Sequence, residues 1–405
     1  MANHTKVVLD GTLFAECEMQ GENRDGMMRL TENITERLIE NDHLDISFAS
    51  TLYIQKYDGA LKNFIKKKYP AHSQKIISNN PFYLSNILKW QNIFRTYLSN
   101  FPLAPFYKEI NSFDVFHSFY YPFPKSILKN NIKRSITFLD IIPLKSEGYT
   151  TTLVHRTKQV VESIAKNYAV SISEFSKQDL LNYDSRIKEE NIFVAPLAAS
   201  KELFYKNTNR QDWIFVKNKY SLPDKYFLSV SGNDSRKNVR TIIKAFCIFL
   251  EQEKYNDIHL VLAGNQIHSY KLLDELGIST PLRKKIYISN VFIDSNDLAV
   301  LYSNALCFFF ISLYEGFGLP ALEAMQCGTP TVVSNTTSLP EVVGNAAIQV
   351  TPTDTDELSD AMFQIYNNET LRTKYSEAGL ERAKQFSWQK CADQYAKIFQ
   401  EISLR

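Results

Sequence analysis

Cysteine is scarce and scattered. Cys17, Cys247, Cys307, Cys327 and Cys391 are the five in 405 residues, and no two lie close together. Neither a disulfide framework nor zinc-ligand spacing can be drawn from them, which fits a reducing compartment. An excess of either charge is also lacking, since 46 Lys and Arg face 44 Asp and Glu for a formal charge of +2. A dedicated nucleic-acid binder carries a strong basic excess, so that class is excluded. Long hydrophobic runs are missing too. The most apolar run, 305–313, is less than half of the roughly 20 residues that span a bilayer. The opening MANHTKVVLDGTLFAECE has acids where a secretory signal has its apolar core. The expectation is a cytoplasmic protein.

What is present is an ordinary globular balance. Apolar types make up 44% and charged types 22%, enough core material to exclude disorder as the main state. The length allows two or three domains of about 100–200 residues each. Charge is unevenly spread. Residues 1–49 hold four basic and ten acidic side chains, and 50–134 hold thirteen basic and three acidic ones. The basic stretch contains LKNFIKKKYP (61–70) and the aromatics Phe64, Tyr69, Phe82, Tyr83, Trp90, Phe94 and Tyr97. Two readings stand side by side. One is a solvated helical face with its aromatics inside. The other is peripheral contact with an anionic membrane or acceptor, where each nearby Lys or Arg contributes about 1 kcal/mol.

Along the chain, short apolar strands alternate with amphipathic helices. KVVLDGT (6–12), FDVFHS (113–118), SITFLD (135–140), YAVSIS (168–173) and NIFVAP (191–196) read as strands, with helices over 26–41 and 152–167. Ser173 or Ser176 starts a further helix, because a hydroxyl caps free backbone N–H groups. The second half repeats the scheme. KYFLSVS (225–231), IHLVLAG (258–264), KKIYISN (284–290), LCFFFIS (306–312) and TPTVVS (329–334) are strands, and 238–253, 295–305 and 320–327 are helices. Continuous apolar runs suit parallel strands covered on both faces, and helical crossovers between them imply doubly wound α/β sheets. Two such sheets fit. The periodicity lapses at KELFYKNTNRQDW, which puts a boundary near 205/206.

In open parallel sheets the ligand crevice lies beyond the carboxyl ends of the strands. Two turns there stand out. The first runs Tyr314-Glu315-Gly316-Phe317-Gly318-Leu319-Pro320-Ala321-Leu322-Glu323. Its glycines permit a tight turn and a close backbone approach. Pro320 suits a first helical turn, and Gly328 a left-handed cap at the far end. A helix start at 318–321 offers N–H groups and a positive dipole end to a phosphate. Glu315 and Glu323 can each accept hydrogen bonds from adjacent sugar hydroxyls. The plain alternative is a glycine-rich turn with Glu323 on a solvated face. The second turn, Ser231-Gly232-Asn233-Asp234-Ser235-Arg236-Lys237-Asn238, sets two cations at a helix start. Cations there oppose the dipole, which suggests an anion that needs them, such as a diphosphate. Two ordinary surface basics are the alternative.

With these residues, the chain resembles the retaining, nucleotide-sugar-dependent glycosyltransferases called group 1 or family four. The resemblance rests on Glu315…Glu323 within SLYEGFGLPALEAMQCGTPTVVSN, on SGNDSRKNVRTIIKAF, TSLPEVVGNAA (337–347) and FSW (386–388). FDVFHS, ITFLDIIPL and SISEFSKQDLL are similar to acceptor-domain segments of mannosyl- and rhamnosyltransferases of bacterial surface polysaccharides. The resemblance implies the GT-B fold, with two Rossmann-like domains facing across a cleft. Residues 1–205 would bind the acceptor and 206–388 the donor, with 389–405 a helix crossing back. Arg236 and Lys237 would hold the diphosphate together with Gly232 and Asn238. Glu315 would contact the donor sugar, and Glu323 the ribose. Gly316, Phe317, Gly318 and Leu319 would offer backbone groups, and Val291 and Phe292 would face the base. Gly26 matches a glycine turn near the phosphates. His117 and Asp140 end N-terminal strands and are candidates for the cleft, His117 having a buried, satisfied histidine as its alternative.

Two departures from the family pattern stand out: Gly232 occupies a place where Arg is frequent, and Leu139-Asp140 replaces His-Asp. The implied reaction moves a hexose, with retention, from a nucleoside-diphosphate sugar such as GDP-mannose to a glycan or lipid-linked glycan acceptor in lipopolysaccharide or O-antigen synthesis. No cofactor beyond that donor substrate and no metal is expected. dTDP-rhamnose and UDP-sugars remain open as donors. A nucleotide-sugar epimerase of the same fold, or a non-catalytic nucleotide-sugar-binding partner of another transferase, are the alternatives.

Overall fold

The continuous apolar runs become strands of two wholly parallel sheets. The computed structural model describes residues 4–21, 26–50, 55–77, 109–123, 125–230, 232, 234–252, 257–264, 267–289, 291 and 293–405. The first sheet contains β1 (Thr5–Asp10), β2 (Leu44–Ala49), β3 (Ile76–Ile77), β4 (Val115–Ser118), β5 (Lys133–Phe138), β6 (Tyr168–Ser171) and β7 (Ile192–Val194), in the order β3-β2-β1-β4-β5-β6-β7. Val7 lies opposite Ile46 on one side and Val115 on the other. The second contains β8 (Tyr226–Val230), β9 (His259–Ala263), β10 (Ile286–Ile288), β11 (Cys307–Phe310), β12 (Thr331–Ser334) and β13 (Ile348–Val350), in the order β10-β9-β8-β11-β12-β13. Every residue of β4 and of β11 is buried, as expected for strands covered by helices on both faces. Each order runs outward in both directions from its first strand. Each sheet therefore has one switch point, β1/β4 in the first and β8/β11 in the second, where a crevice opens at the strand ends.

The chain divides into Met1–Pro196 with Trp388–Arg405, and Leu197–Ser387. The division falls nine residues before the expected 205/206, and the reason is visible. Phe204 packs edge-on against Tyr302, and Gln326 Nε2 donates to the Phe204 carbonyl (2.6 Å), which ties this segment to the second unit. The terminal helix Trp388–Leu404 packs on the helix Gly26–Leu38 in the first unit. Among the described part of 50–134, the helix Gln55–Lys68 shows the solvated-face pattern. Leu61, Phe64 and Ile65 are buried, Phe64 stacking on Phe14 at 4.8 Å, while Lys62, Lys66 and Lys67 are exposed. Phe82, Tyr83, Trp90, Phe94 and Tyr97 lie outside the described residues. No helix among the described residues is long and apolar enough to cross a membrane. All five cysteines are buried, and none is in a disulfide among the described residues.

His117 corrects an expectation. It is fully buried in the first unit instead of open at a strand end. Its side chain packs against Phe119, Tyr395 and Phe399. Nδ1 pairs with the Ser135 hydroxyl (2.8 Å) and Nε2 with that of Thr137 (3.0 Å), which in turn bonds the Tyr395 hydroxyl (2.8 Å). Desolvation lowers its pKa from 6.5 to about 3, so the folded protein keeps it neutral. The ring is a polar pin between the sheet and the terminal helix.

Because the unfolded chain binds a proton at His117 below pH 6.5 and the folded chain does not, stability must fall as pH drops from 6.5 toward 3. Denaturant midpoints across that range are expected to flatten in His117→Gln relative to the parent. At neutral pH, His117→Ala is expected to cost on the order of 2–4 kcal/mol, because it opens a cavity and leaves two buried hydroxyls short of a partner.

Candidate functional site

The site grows out of the β8/β11 switch point. After β8, Asp234 Oδ1 accepts the Arg236 N–H (3.0 Å) and caps a single 3-10 turn, Ser235–Lys237. Asn238, at φ +56°, ends that turn and starts the helix Val239–Gln252. Its amide is committed inward, with Nδ2 donating to the Pro352 carbonyl and Oδ1 accepting from Thr241, both at 2.7 Å. The expected ligand contact at Asn238 is thus replaced by a joint between two loops. Gly232 is open, with no atom near where a Cβ would stand.

After β11, Leu313 N–H donates to the Arg236 carbonyl (2.8 Å), which fastens the two crossover loops together. Glu315 follows and is buried. Its Oε1 stands 2.7 Å from Arg236 Nη1 and 2.7 Å from Lys237 Nζ, with all three side chains at most 16% exposed. Arg236 is held further by Asp234 Oδ2 (3.1 Å) and the Tyr314 carbonyl (2.7 Å). Lys237 Nζ also lies 4.8 Å above the Phe310 ring. No described group donates to Glu315 Oε2, so one carboxylate oxygen anchors both cations and the other is open to a hydroxyl donor.

The loop beyond β12 fixes the backbone here. Thr337 Oγ1 accepts the Glu315 N–H (3.2 Å), and the Ser338 hydroxyl is shared between the carbonyls of Glu315 (3.0 Å) and Phe317 (2.8 Å). Thr337 sits at φ +59°, a conformation that costs a β-branched residue roughly 1–3 kcal/mol. Gly318 is at φ +107°, and a Cβ there would overlap Leu339 Cδ2, so only glycine fits. The helix Leu319–Gln326 then begins with Pro320 in its first turn, and Gly328 beyond its end takes φ +73°. In its first turn Pro320 has no N–H and the Ala321 N–H bonds the Gly318 carbonyl (3.0 Å), so the start offers the Leu319 N–H and a partial positive charge. Gly316 is buried, Phe317 packs edge-on against Phe386 (5.9 Å), and Leu319 is half-buried.

Glu323 is half-buried one turn inside this helix, where the Tyr302 hydroxyl donates to Oε2 (3.4 Å). Burial, with the Glu323 charge beside it, raises the Tyr302 pKa well above its ordinary value, so the hydroxyl stays a donor. Val291, just past β10, is 54% exposed, and Phe292 lies outside the described residues. In the first unit, Asp140 follows β5, where Oδ1 accepts the Ile142 N–H (2.9 Å). Gly26 begins its helix with ordinary φ and open space around a Cβ position, so neither strain nor crowding requires glycine there. Among the described residues no group of three or more His, Cys, Asp or Glu side chains gathers as a metal cluster would.

Sequence reasoning missed Asp234, Thr337 and Ser338. An Asp two residues before the Arg it caps is a recognisable turn signal. Thr337 and Ser338 open the stretch TSLPEVVGNAA, but nothing local shows their contact with Glu315, which spans 22 and 23 residues.

The model of the family described as glycosyl transferases group 1 matches residues 210–382. The O-antigen chain mannosyltransferase B of Escherichia coli is 31% identical over 287 residues, which is 69% of this chain and 73% of that protein. The serotype-specific mannosyltransferase WbdA of Escherichia coli is 32% identical over 219 residues, or 54% of this chain but 27% of its own length. A glycosyltransferase from Rickettsia africae superimposes with a TM-score of 0.69 over 99% of both chains at 18% identity, which shows the shared two-domain GT-B fold. Identity near one-third, sustained along almost three-quarters of a relative's length, marks common descent, and the chain belongs to the group 1 glycosyltransferases.

Proposed function

We propose that the protein is a retaining mannosyltransferase of bacterial surface-polysaccharide synthesis, taking mannose from a nucleoside-diphosphate donor, with GDP-mannose as the first candidate, to a glycan acceptor. The second unit would hold the donor and the first unit the acceptor. The choice of mannose is supported by relatives that are O-antigen mannosyltransferases. The observation that carries the chemistry is the pair of cations on Glu315 Oε1 at the β8/β11 switch point.

In this reading the diphosphate meets Arg236, Lys237 and the start of the helix Leu319–Gln326. Glu315 Oε2 accepts a hydroxyl of the donor sugar, and Glu323 accepts ribose hydroxyls. As the glycosidic bond to the diphosphate stretches, the sugar gains oxocarbenium character and negative charge grows on the leaving phosphate. Arg236 and Lys237 then stabilise the transition state more than the bound substrate. The acceptor hydroxyl attacks from the face that the diphosphate leaves, and passes its proton to that phosphate. These cations take the part a divalent ion would play, so the reaction is metal-independent. The protein acts at the cytoplasmic face of the membrane, where lipid-linked acceptors are made.

Lys237→Ala and Glu315→Gln are expected to lower kcat by about 10²–10³-fold, the usual effect of losing one preorganised electrostatic contact. Thermal unfolding checks that both variants remain folded, and nucleoside-diphosphate release with GDP-mannose is the rate measured. Near-parental turnover in both would overturn the reading. Turnover is expected to survive excess EDTA unchanged, with a loss restored by a divalent ion as the contrary result. Proton NMR of the first-formed linkage is expected to show the anomeric configuration of the donor.

A further inference from the structure

The contact behind Glu323 is one that core packing does not require. Among the described residues three tyrosines are fully buried, Tyr226, Tyr302 and Tyr395. Two of them end on neutral groups. The Tyr226 hydroxyl donates to the Leu301 carbonyl (2.7 Å), and the Tyr395 hydroxyl pairs with that of Thr137 (2.8 Å). Tyr302, in the helix Ser295–Ser303, ends on a carboxylate instead. Its hydroxyl donates to Glu323 Oε2 at 3.4 Å and has no other acceptor among the described residues. A buried hydroxyl needs a partner, and a backbone carbonyl serves without bringing a charge. An acid is the expensive choice, because it must give up its own hydration.

The tyrosine is the fixed member of the pair. Phe308 of β11 meets its ring edge-on at 5.2 Å, and Phe204 does so at 6.2 Å. Thr329 Oγ1 donates to its carbonyl (2.7 Å), which ties the end of its helix to the turn before β12. Burial raises its pKa well above the ordinary value, so at neutral pH the hydroxyl keeps its proton to donate. Glu323 is the flexible member, a long side chain only half-buried. A rigid donor behind a flexible carboxylate removes rotamer freedom before a ligand arrives, so binding does not bear that entropic cost.

We propose that Tyr302 is a positioning residue, which aims the Glu323 carboxylate at the donor ribose and so sets a preference for ribonucleoside over deoxyribonucleoside diphosphates. The inference rests on the reading in which Glu323 accepts ribose hydroxyls, and it adds the group that acts through that acid. Tyr302, fully buried, meets no ligand itself.

Calorimetry with GDP, 2′-deoxy-GDP and 3′-deoxy-GDP tests this, with UDP and its deoxy forms in their place if UDP is the nucleotide bound. The parent is expected to bind the ribonucleotide about tenfold or more tighter than one of the deoxy forms, as a hydrogen bond to a charged group allows. In Tyr302→Phe the ribonucleotide is expected to weaken about fivefold, while that deoxy form stays within about twofold of its parental affinity. The lost hydroxyl acts only through a contact that the deoxy sugar does not make, which is the signature of coupled groups. In turnover with the nucleotide sugar, the loss is expected in donor KM rather than in kcat. An unchanged ribose preference in Tyr302→Phe overturns the proposal. So does an equal loss for all three nucleotides, which is what a merely structural role would give. Glu323→Ala tests the underlying reading separately and is expected to bring the ratio to about one. A ratio unchanged in Glu323→Ala, or no preference in the parent, overturns the ribose contact itself, and binding of neither GDP nor UDP overturns the donor site.

Discussion

A single oxygen organises the second unit. Glu315 Oε1 meets a guanidinium and an ammonium at 2.7 Å each, and all three side chains are largely shielded from water. Removing one partner from such a group leaves an uncompensated buried charge, which costs far more than the pair itself contributes. The arrangement therefore holds the crossover after β8 against the crossover after β11. That contact, 78 residues apart in sequence, turns two loops into one surface.

The local backbone is shaped to serve it. Of the three non-glycine residues with positive φ in the described chain, Asn238 directly follows the cations and Thr337 holds the Glu315 amide. Strain of this kind persists only where surrounding bonds over-determine the conformation. Asp234 and Glu315 balance Arg236 and Lys237 one for one, which is why the group tolerates burial before any ligand arrives. Around His117 the first unit buries polar groups without charge. His117, Ser135, Thr137 and Tyr395 form a chain of neutral hydrogen bonds, each member partnered.

Much of this was legible in the sequence. The apolar runs that became β1, β4, β8, β9 and β11 are bounded by polar or glycine-rich turns, and the turn at 314–323 announces itself through glycine, proline and paired acids. Ser173, one of two possible caps, does accept the Ser176 N–H. What stayed hidden depended on distant partners. His117 looked like a strand-end residue because Tyr395, which helps enclose it, lies far along the chain and arrives on another element. Asn238 looked like a ligand contact because Pro352 lies 114 residues on. β2 went unread because Asp45 and Ser47 interrupt its apolar run, and β13 because Gln349 interrupts its three residues. The unit boundary was misplaced because lost periodicity marks the end of regular structure, whereas Phe204 shows where packing changes hands.

The terminal helix carries a consequence for how the chain assembles. Residues 388–405 belong to the unit that Met1 begins, so that unit is interrupted by the whole of Leu197–Ser387. Domains ordinarily acquire structure as they leave the ribosome, the amino-terminal one first. Here the order is inverted at the last step: the inserted unit has all its residues while the earlier one still lacks the Tyr395 hydroxyl that completes the His117 chain. Until translation reaches that tyrosine, a sheet already synthesised keeps an uncovered polar seam, and the nascent protein is exposed to chaperones and proteases on the side that was made first.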